Sequence, residues 1–350
     1  MNKNLISHRI CDGVNFNAIK DTRFKTERIS VNMFLPLDEK TAAKNAILPF
    51  LLSKSCKKYP DLTKLNRRLS ELYGATIHCD VSKIGDVQAL TISGIFLDDR
   101  YALEDDKVSE NMTKLICDLI FEPLLVDGTF SKYNIEQEKR QLVELIDSEY
   151  NDKRVFAKLR CEQLMCKNER FGISRFGKRE EVLALTPEVV YSAWQNALET
   201  AKIEIMALGD INIDATAEVF RQAFLNVKRK NVADCETEIV KSADKVSEYK
   251  DTMDVSQSKL VLGFRTKFAQ NDKEVMATRV MAALYGATPN SKLFLNVREK
   301  LSLCYYCSAR YDKSKGIMMV QSGVEKENIE KAKLEIIKQL EEIKKGNFQD

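Results

Sequence analysis

The sequence has few of the side chains that most often bind a metal or transfer a proton at neutral pH. Its 350 residues include two histidines, His8 and His78, which lie far apart along the chain. A zinc site with two histidine ligands would require both to meet in the folded chain. We assign His78 to a strand and His8 to an irregular N-terminus. We therefore predict that the chain binds no metal and carries no cofactor.

No charge of one sign dominates, since 55 Lys and Arg residues oppose 52 Asp and Glu residues for a formal net charge of +3. This balance does not favour a nucleic-acid-binding surface. No apolar run approaches the roughly 20 residues that a membrane helix requires, and the N-terminus lacks the apolar core of a secretory signal. We therefore expect a cytoplasmic protein without a nucleic-acid or membrane partner.

The nine cysteines form no recognisable metal or disulfide framework. Their number is odd and no secretory signal accompanies them, so we expect free thiols in a reducing compartment. Cys304 and Cys307 have the C-x-x-C spacing, but no second pair and no histidine lies nearby. In a regular strand, residues three apart point to opposite faces. We therefore predict structural thiols rather than a zinc site or a redox pair.

Hydrophobic periodicity divides the chain into runs of strands and runs of helices, which predicts an α+β fold of mainly antiparallel sheets covered by helices. A polar, charge-rich passage separates two parts, and we predict domains at 1–228 and 255–350 with a linker at 229–254. The first part is predicted to contain strands 14–20 and 28–37, helices 39–54 and 62–73, strands 75–81 and 87–97, helices 107–121, 135–166 and 186–197, strand 201–209 and helix 214–224.

The run Ser291–Tyr306 is the most informative part of the sequence. Apolar residues at helical spacing predict a helix that ends near Ser302, and a strand follows. Arg298 lies late in this helix and Tyr305 early in the strand. Both side chains donate hydrogen bonds and arginine stays charged at any working pH, so the pair suits a peptide carbonyl or carboxylate. On spacing alone, a surface arginine and a half-buried strand tyrosine are favoured.

The same run resembles the second-half signature of the M16 metallopeptidases, the family of insulinase, pitrilysin and the mitochondrial processing peptidase. That signature is roughly S-R-L-F-x-x-[LV]-R-E-K-x-G-L-[AC]-Y, and this chain has SKLFLNVREKLSLCY, with Ser302 in place of the glycine. The resemblance implies two related halves of the LuxS/MPP-like metallohydrolase fold, the second truncated at its C-terminus. It also implies that Arg298 and Tyr305 bind the substrate and stabilise the transition state.

Active members of that family carry an H-x-x-E-H motif on the first helix and take a further zinc ligand from a downstream glutamate. Alignment through Lys54–Lys58 places Ala46, Pro49 and Phe50 at the motif positions and Leu145 at the downstream one. None of these side chains binds zinc or acts as a general base. A proline inside a helix costs about 3 kcal/mol, so we also expect a kink or break at Pro49.

The resemblance thus implies a family member that lacks the metal chemistry and keeps the substrate-binding residues. Some M16 proteins are heterodimers in which one subunit brings zinc and the other brings the arginine and tyrosine. Our hypothesis is that this chain is the non-catalytic partner of a zinc-bearing homologue and is inactive by itself on peptide substrates. The alternative is a stand-alone peptide-binding or scaffold protein. An unrelated active site is disfavoured, because no G-x-S-x-G, P-loop or dinucleotide-binding glycine pattern occurs.

Overall fold

The computed structural model describes residues 5–348. Their contacts divide the chain into two compact units. The first comprises the chain up to Ile146 together with Ile173–Glu236, and the second comprises Asp147–Gly172 together with the chain from Thr237 onward. One boundary therefore falls inside a helix, where the sequence shows no change of composition. The domain bounds given by the sequence stay a prediction.

Strands and helices follow each other as an α+β chain requires. The strands are β1 (Leu5–Cys11), β2 (Val14–Lys20), β3 (Thr26–Pro36), β4 (Thr76–Ile84), β5 (Val87–Leu97), the short β6 (Leu125–Val126) and β7 (Thr129–Phe130), β8 (Lys202–Gly209), β9 (Ser258–Arg265), β10 (Cys304–Asp312) and β11 (Ile317–Val324). The helices are α1 (Ala42–Leu52), α2 (Leu62–Glu71), α3 (Val108–Phe121), α4 (Lys132–Asn151), α5 (Lys153–Met165), α6 (Arg179–Leu183), α7 (Pro187–Thr200), α8 (Ile213–Phe224), α9 (Val275–Ala282) and α10 (Ile329–Lys344). A π-helical segment, Leu293–Lys300, lies between α9 and α10. Within residues 5–348, no helix is both long and apolar enough to cross a membrane.

Six strands form one sheet in the first unit, in the order β1-β2-β8-β3-β5-β4. All neighbouring pairs are antiparallel except β2 and β8, which run parallel. Alternate side chains of β8 enter the core, as Ile203, Ile205 and Ala207 do. Helices α1, α3 and α7 add apolar side chains to the same core. The mainly antiparallel, helix-covered architecture predicted from the sequence is confirmed.

The second unit contains a three-stranded antiparallel sheet in the order β10-β11-β9. Its core includes the fully buried side chains of Tyr285, Leu293 and Val297. The Tyr285 hydroxyl donates a hydrogen bond to the carbonyl of Ile336 at 2.8 Å, which satisfies the polar end of this large buried side chain. The π-helical segment and α10 thus share one core with the sheet.

A buried ion cluster explains why residues 147–172 belong to the second unit. Glu169 accepts a hydrogen bond from Arg265 at 3.1 Å and lies 3.0 Å from the ammonium group of Lys315, which is fully buried. Burial alone would raise the pKa of Glu169, but its hydrogen bonds from Arg265 and Lys315 hold that pKa below its usual range. Because Arg265 ends β9 and Lys315 precedes β11, the cluster attaches this segment to the sheet.

The predicted single helix over residues 135–166 is wrong. The carboxylate of Asp152 accepts hydrogen bonds from the backbone N–H groups of Arg154 at 2.9 Å and Val155 at 3.1 Å. This is the N-cap arrangement that starts a new helix, so α4 ends and α5 begins here. Apolar periodicity did not reveal the break, because it records which residues face the core and not where a helix is capped.

Two further expectations concern the first unit. His8 lies in an edge strand, β1, so its assignment to an irregular N-terminus is wrong. Of the kink or break expected at Pro49, the break does not occur, because α1 continues through this residue to Leu52. The backbone N–H of Ser53 then donates to the Pro49 carbonyl at 3.2 Å and closes the last turn.

Strand β10 contains a bulge at Tyr305. Cys304 pairs with Val324 on β11, whereas Tyr306 pairs with the very next residue of β11, so Tyr305 has no residue opposite it. One extra residue shifts the alternation of side chains. Cys304 and Cys307 therefore face the same side of the strand, and the prediction that they point to opposite faces is wrong.

Candidate functional site

Helix α1 holds the three positions that the family resemblance assigns to a zinc motif. Ala46 is fully buried, Pro49 is buried inside the helix, and Phe50 is half-buried against the core. None of the three side chains carries an atom that binds zinc. The residues present do not fit the metal, and α1 serves as a core helix.

The downstream ligand position on α4 is equally unsuited. Leu145 is apolar and 39% exposed, and its neighbour Glu144 is exposed as well. The buried acid of α4 is Glu138, whose Oε1 lies 3.8 Å from the ammonium group of Lys54 and whose Oε2 has no hydrogen-bond partner among the described residues. Burial raises the pKa of Glu138.

Clusters of metal-binding side chains are absent from the described part of the chain as a whole. Within residues 5–348, no group of three or more His, Cys, Asp or Glu side chains could hold a metal ion. Helices α1 and α4 therefore contribute core packing and one buried acid, Glu138, whose charge is partly balanced by Lys54. These groups support no catalytic step.

Arg298 lies on the π-helical segment with its side chain 42% exposed. Its guanidinium carbon is 4.6 Å from the ring centre of Phe294, and its Nε is 3.6 Å from a carboxylate oxygen of Glu299. The N–H of Leu301 donates at 3.2 Å to the carbonyl of Asn296, five residues back, which is the π-helical spacing. Contact with the ring orients the guanidinium and leaves part of it accessible to a ligand.

Tyr305 lies on β10, at one edge of the three-stranded sheet, and is 64% exposed. Its hydroxyl forms a hydrogen bond with the carboxylate of Glu325, which raises the pKa of the phenol. Tyr305 is therefore a neutral hydrogen-bond donor at neutral pH. Because it is the bulged residue, the local bend of the strand sets the direction of its side chain.

A tight turn joins these two residues. Ser302 in this turn has a φ of +49°, in the left-handed region that favours glycine. The N–H of Leu303 donates to the carbonyl of Val297 at 3.1 Å and closes the end of the helical segment. The turn thus has the backbone conformation that suits the glycine of the signature, although the residue is serine. We call Arg298, Tyr305 and this turn the Arg–Tyr wall.

The structure brings Arg298 and Tyr305 onto adjoining elements of the second unit and keeps both exposed. Each has its own acidic neighbour, Glu299 for the guanidinium and Glu325 for the phenol. Sequence reasoning did not include these acids in the site. The only signal for Glu299 is its place inside the motif. Glu325 directly follows the end of β11, and the sequence does not indicate that it lies near Tyr305.

Comparisons with known proteins agree with the geometry. A family model described as the peptidase M16 inactive domain matches residues 184–350. The probable inactive metalloprotease YmfF of Bacillus subtilis is 31% identical over 338 residues, covering 97% of this chain and 79% of the relative.

Two solved structures resemble the whole chain. A conserved protein from Enterococcus faecalis V583 has a TM-score of 0.93 and 29% identity, with 99% of this chain and 82% of that one covered. A peptidase M16 inactive domain from Pseudomonas fluorescens has a TM-score of 0.77 and 15% identity, with 99% and 80% covered. The side chains at the zinc-motif positions are apolar, and the similarity to YmfF extends over nearly the whole chain. The chain therefore belongs to the M16 metallopeptidase family, as an inactive member.

Proposed function

We propose that this chain is the non-catalytic subunit of a two-subunit peptidase, in which a zinc-bearing homologue cuts peptides that the Arg–Tyr wall helps to hold. Selective loss carries the proposal. The zinc positions on α1 are apolar and buried, whereas Arg298 and Tyr305 remain exposed donors. If the chain had lost every role in peptide hydrolysis, nothing would have preserved Arg298 and Tyr305 while the zinc-motif positions on α1 changed.

The chemistry of the Arg–Tyr wall suits a peptide. The guanidinium of Arg298 is charged at any working pH and presents several N–H donors to a carbonyl or a carboxylate. Tyr305 adds a neutral hydroxyl donor. Donors of this kind stabilise negative charge that develops on a carbonyl oxygen during hydrolysis. The partner would supply the metal chemistry, while this chain would orient the peptide and stabilise the developing charge.

We also infer that the pair works in the cytoplasm. None of the nine cysteines, all of which lie within residues 5–348, forms a disulfide. Free thiols persist in a reducing compartment, whereas an oxidising one would drive many of them into disulfides. Fractionation of cells, followed by detection of the chain with a specific antibody, tests this location directly.

The function is tested by reconstitution with a zinc-bearing M16 homologue from the same source. We expect the two chains to copurify and to cleave a fluorogenic peptide library, with the activity abolished by a chelator and absent from either chain alone. The matched control is a partner whose H-x-x-E-H glutamate is changed to glutamine, which should leave assembly intact and remove cleavage. Chelator-sensitive hydrolysis by this chain alone would contradict the proposal. Peptide binding without any associating homologue would favour the stand-alone alternative.

A further inference from the structure

The bulge in β10 creates a thiol pair that the proposed function does not use. Cys304 and Cys307 lie on the same side of the strand, and their side chains hydrogen-bond to each other. Ser322, opposite Cys307 on β11, donates a hydrogen bond to the carbonyl of Tyr306 at 2.9 Å. Thiols three residues apart meet here because one residue between them is bulged out.

The two thiols differ in access and in acidity. Cys304 is half-buried, whereas Cys307 is 5% exposed. The hydrogen bond from Cys307 lowers the pKa of Cys304, and the positive charge of Arg298 lowers it further. The same hydrogen bond, together with burial, raises the pKa of Cys307. A reachable thiolate beside a buried thiol is the arrangement of a redox-sensing cysteine with its resolving cysteine.

Six other cysteines of the chain lack this activation. Thiols with a raised pKa are mostly protonated at neutral pH and react slowly with oxidants. Burial raises the pKa of six further thiols, those of Cys11, Cys56, Cys79, Cys117, Cys161 and Cys235. Cys304 therefore stands apart from them chemically, and its neighbour Cys307 gives it a partner.

We infer that Cys304 and Cys307 form a reversible dithiol–disulfide site that hydroperoxides oxidise and a thioredoxin-type dithiol reduces. The Cys304 thiolate attacks hydrogen peroxide, the O–O bond breaks, and a sulfenic acid forms as hydroxide leaves and is protonated to water. The sulfur of Cys307 then attacks the sulfenic sulfur, an S–S bond forms, and a second water leaves with the Cys307 proton. Two electrons pass from the thiols to the peroxide, and one dithiol returns them on reduction.

The spacing of the strand permits this bond. The residues paired with the two cysteines, Val324 and Ser322, lie two positions apart on β11. At about 3.4 Å per residue, the Cα atoms of Val324 and Ser322 lie roughly 6.8 Å apart, and we take a similar separation for Cys304 and Cys307 opposite them. This separation is at the wide end of the range for disulfides. Closure therefore draws the bulge together. Since the bulged residue is Tyr305, oxidation would also shift the phenol of the Arg–Tyr wall.

The test reads thiol chemistry and not peptide cleavage, so it stands whether or not the proposed function does. The reduced full chain is treated with hydrogen peroxide at pH 7, its free thiols are blocked with N-ethylmaleimide, and it is cut with trypsin. Lys300 and Arg310 flank the pair, so both cysteines appear on one peptide, residues 301–310. We expect this peptide to lose two hydrogens and its label at least about tenfold faster than any other cysteine is lost, and to regain the label after reduction.

Three variants assign the roles. Cys307→Ser should accumulate a sulfenic acid on Cys304 that dimedone traps, and Cys304→Ser should leave Cys307 labelled. The control Cys235→Ser should leave formation of the disulfide unchanged. Circular dichroism confirms that each variant is folded. The inference is overturned if both cysteines of the 301–310 peptide stay labelled while other thiols oxidise, or if Cys304 of the unchanged chain goes to a form that reduction does not reverse.

Discussion

The family resemblance assigns zinc binding to positions on helix α1 and substrate binding to the Arg–Tyr wall, and the two places differ in burial and chemistry. On α1, Ala46 is fully buried and Pro49 lies inside the helix, so the positions have become part of the core. On the wall, Arg298 and Tyr305 are exposed and are oriented by a neighbouring ring and a bulge. Packed apolar side chains fill the zinc-motif positions of α1, whereas hydrogen-bond donors remain on the Arg–Tyr wall.

Buried carboxylates differ between the two units as well. In the first unit, Glu27 is 1% exposed and accepts a hydrogen bond from the hydroxyl of Ser109 at 2.8 Å, and burial raises its pKa to about 7. In the second unit, Glu169 contacts two cations, Arg265 and Lys315, which lower its pKa against the effect of burial. The two units should therefore respond to pH in opposite directions.

The largest expected effect belongs to the wall. Arg298→Ala should reduce kcat/KM of the reconstituted pair by about 100-fold, because a donor to the developing charge is lost. Arg310→Ala, at an exposed position further along β10, is the matched control and should change the rate less than about twofold. Rates are measured with the zinc-bearing partner in excess. Equal effects of the two substitutions would remove the distinction between the wall and an ordinary surface.

The first unit should become less stable as the pH rises from about 4.5 to 7. Over this range the unfolded chain has released the Glu27 proton and the folded chain still holds it, so the free energy of unfolding falls with pH, by at most about 1.4 kcal/mol per unit. Glu27→Gln should flatten the slope. The single tryptophan, Trp194, lies in α7 of this unit and reports its unfolding by fluorescence.

The second unit supplies the contrast for that experiment. The pKa of Glu169 is lowered in the folded state, so its contribution to stability is present above the unfolded value of about 4.5 and is lost as the pH falls below it. Hydrogen exchange of β9 and β11 amides follows this unit separately. The comparison fails if Glu27→Gln leaves the pH slope of Trp194 fluorescence unchanged, or if both units gain stability toward acid.

Removal of the partly compensated acid beside α1 should stabilise the chain. Glu138→Gln is expected to raise the free energy of unfolding by about 1 kcal/mol at pH 8, because a buried carboxylate with an unbonded oxygen is replaced by a neutral group. Glu144→Gln, at an exposed position of the same helix, should stay within about 0.5 kcal/mol of the unchanged chain. Both are measured by urea unfolding. A marked destabilisation by Glu138→Gln would show that this carboxylate has a role that the structure does not assign to it.

The smallest expected effect concerns the turn of the wall. Ser302→Gly should stabilise the second unit by about 0.5 kcal/mol, because glycine adopts a positive φ without the steric cost that serine has. Ser308→Gly, within the neighbouring strand, should instead destabilise it, since glycine weakens a strand interior. Chemical unfolding of both variants decides the matter. Stabilisation by neither, or by both, would contradict the assigned turn conformation.

Most of the fold could be predicted from periodicity, because apolar spacing records which side of each element faces the core. The hairpin of β4 and β5 and the helix that starts at Pro187 lie where the sequence indicated, the latter because Thr186 caps it through the N–H of Val189. Strand β1 was missed because most of its side chains are not buried, which leaves little alternation to read.

Features that depend on a partner element could not be predicted. The bulge at Tyr305 is set by the pairing of β10 with β11, and the sequence of β10 alone does not indicate where it falls. The attachment of residues 147–172 to the second unit depends on the contact of Glu169 with Arg265, which is distant in sequence. Arg298 and Tyr305 could be predicted as site residues because they lie in one short motif. Glu325 lies outside that motif and could not be predicted.

The central claim is that this chain keeps donors for a peptide and has lost the metal. Zinc titration of the purified chain by calorimetry, in a Cys304→Ser variant so that the thiol pair does not contribute, tests it most directly. The account predicts that this variant binds no more zinc than the same variant in which Arg298 is also changed to alanine. One tightly bound zinc per chain, lost when Glu138 is changed to glutamine, would contradict it.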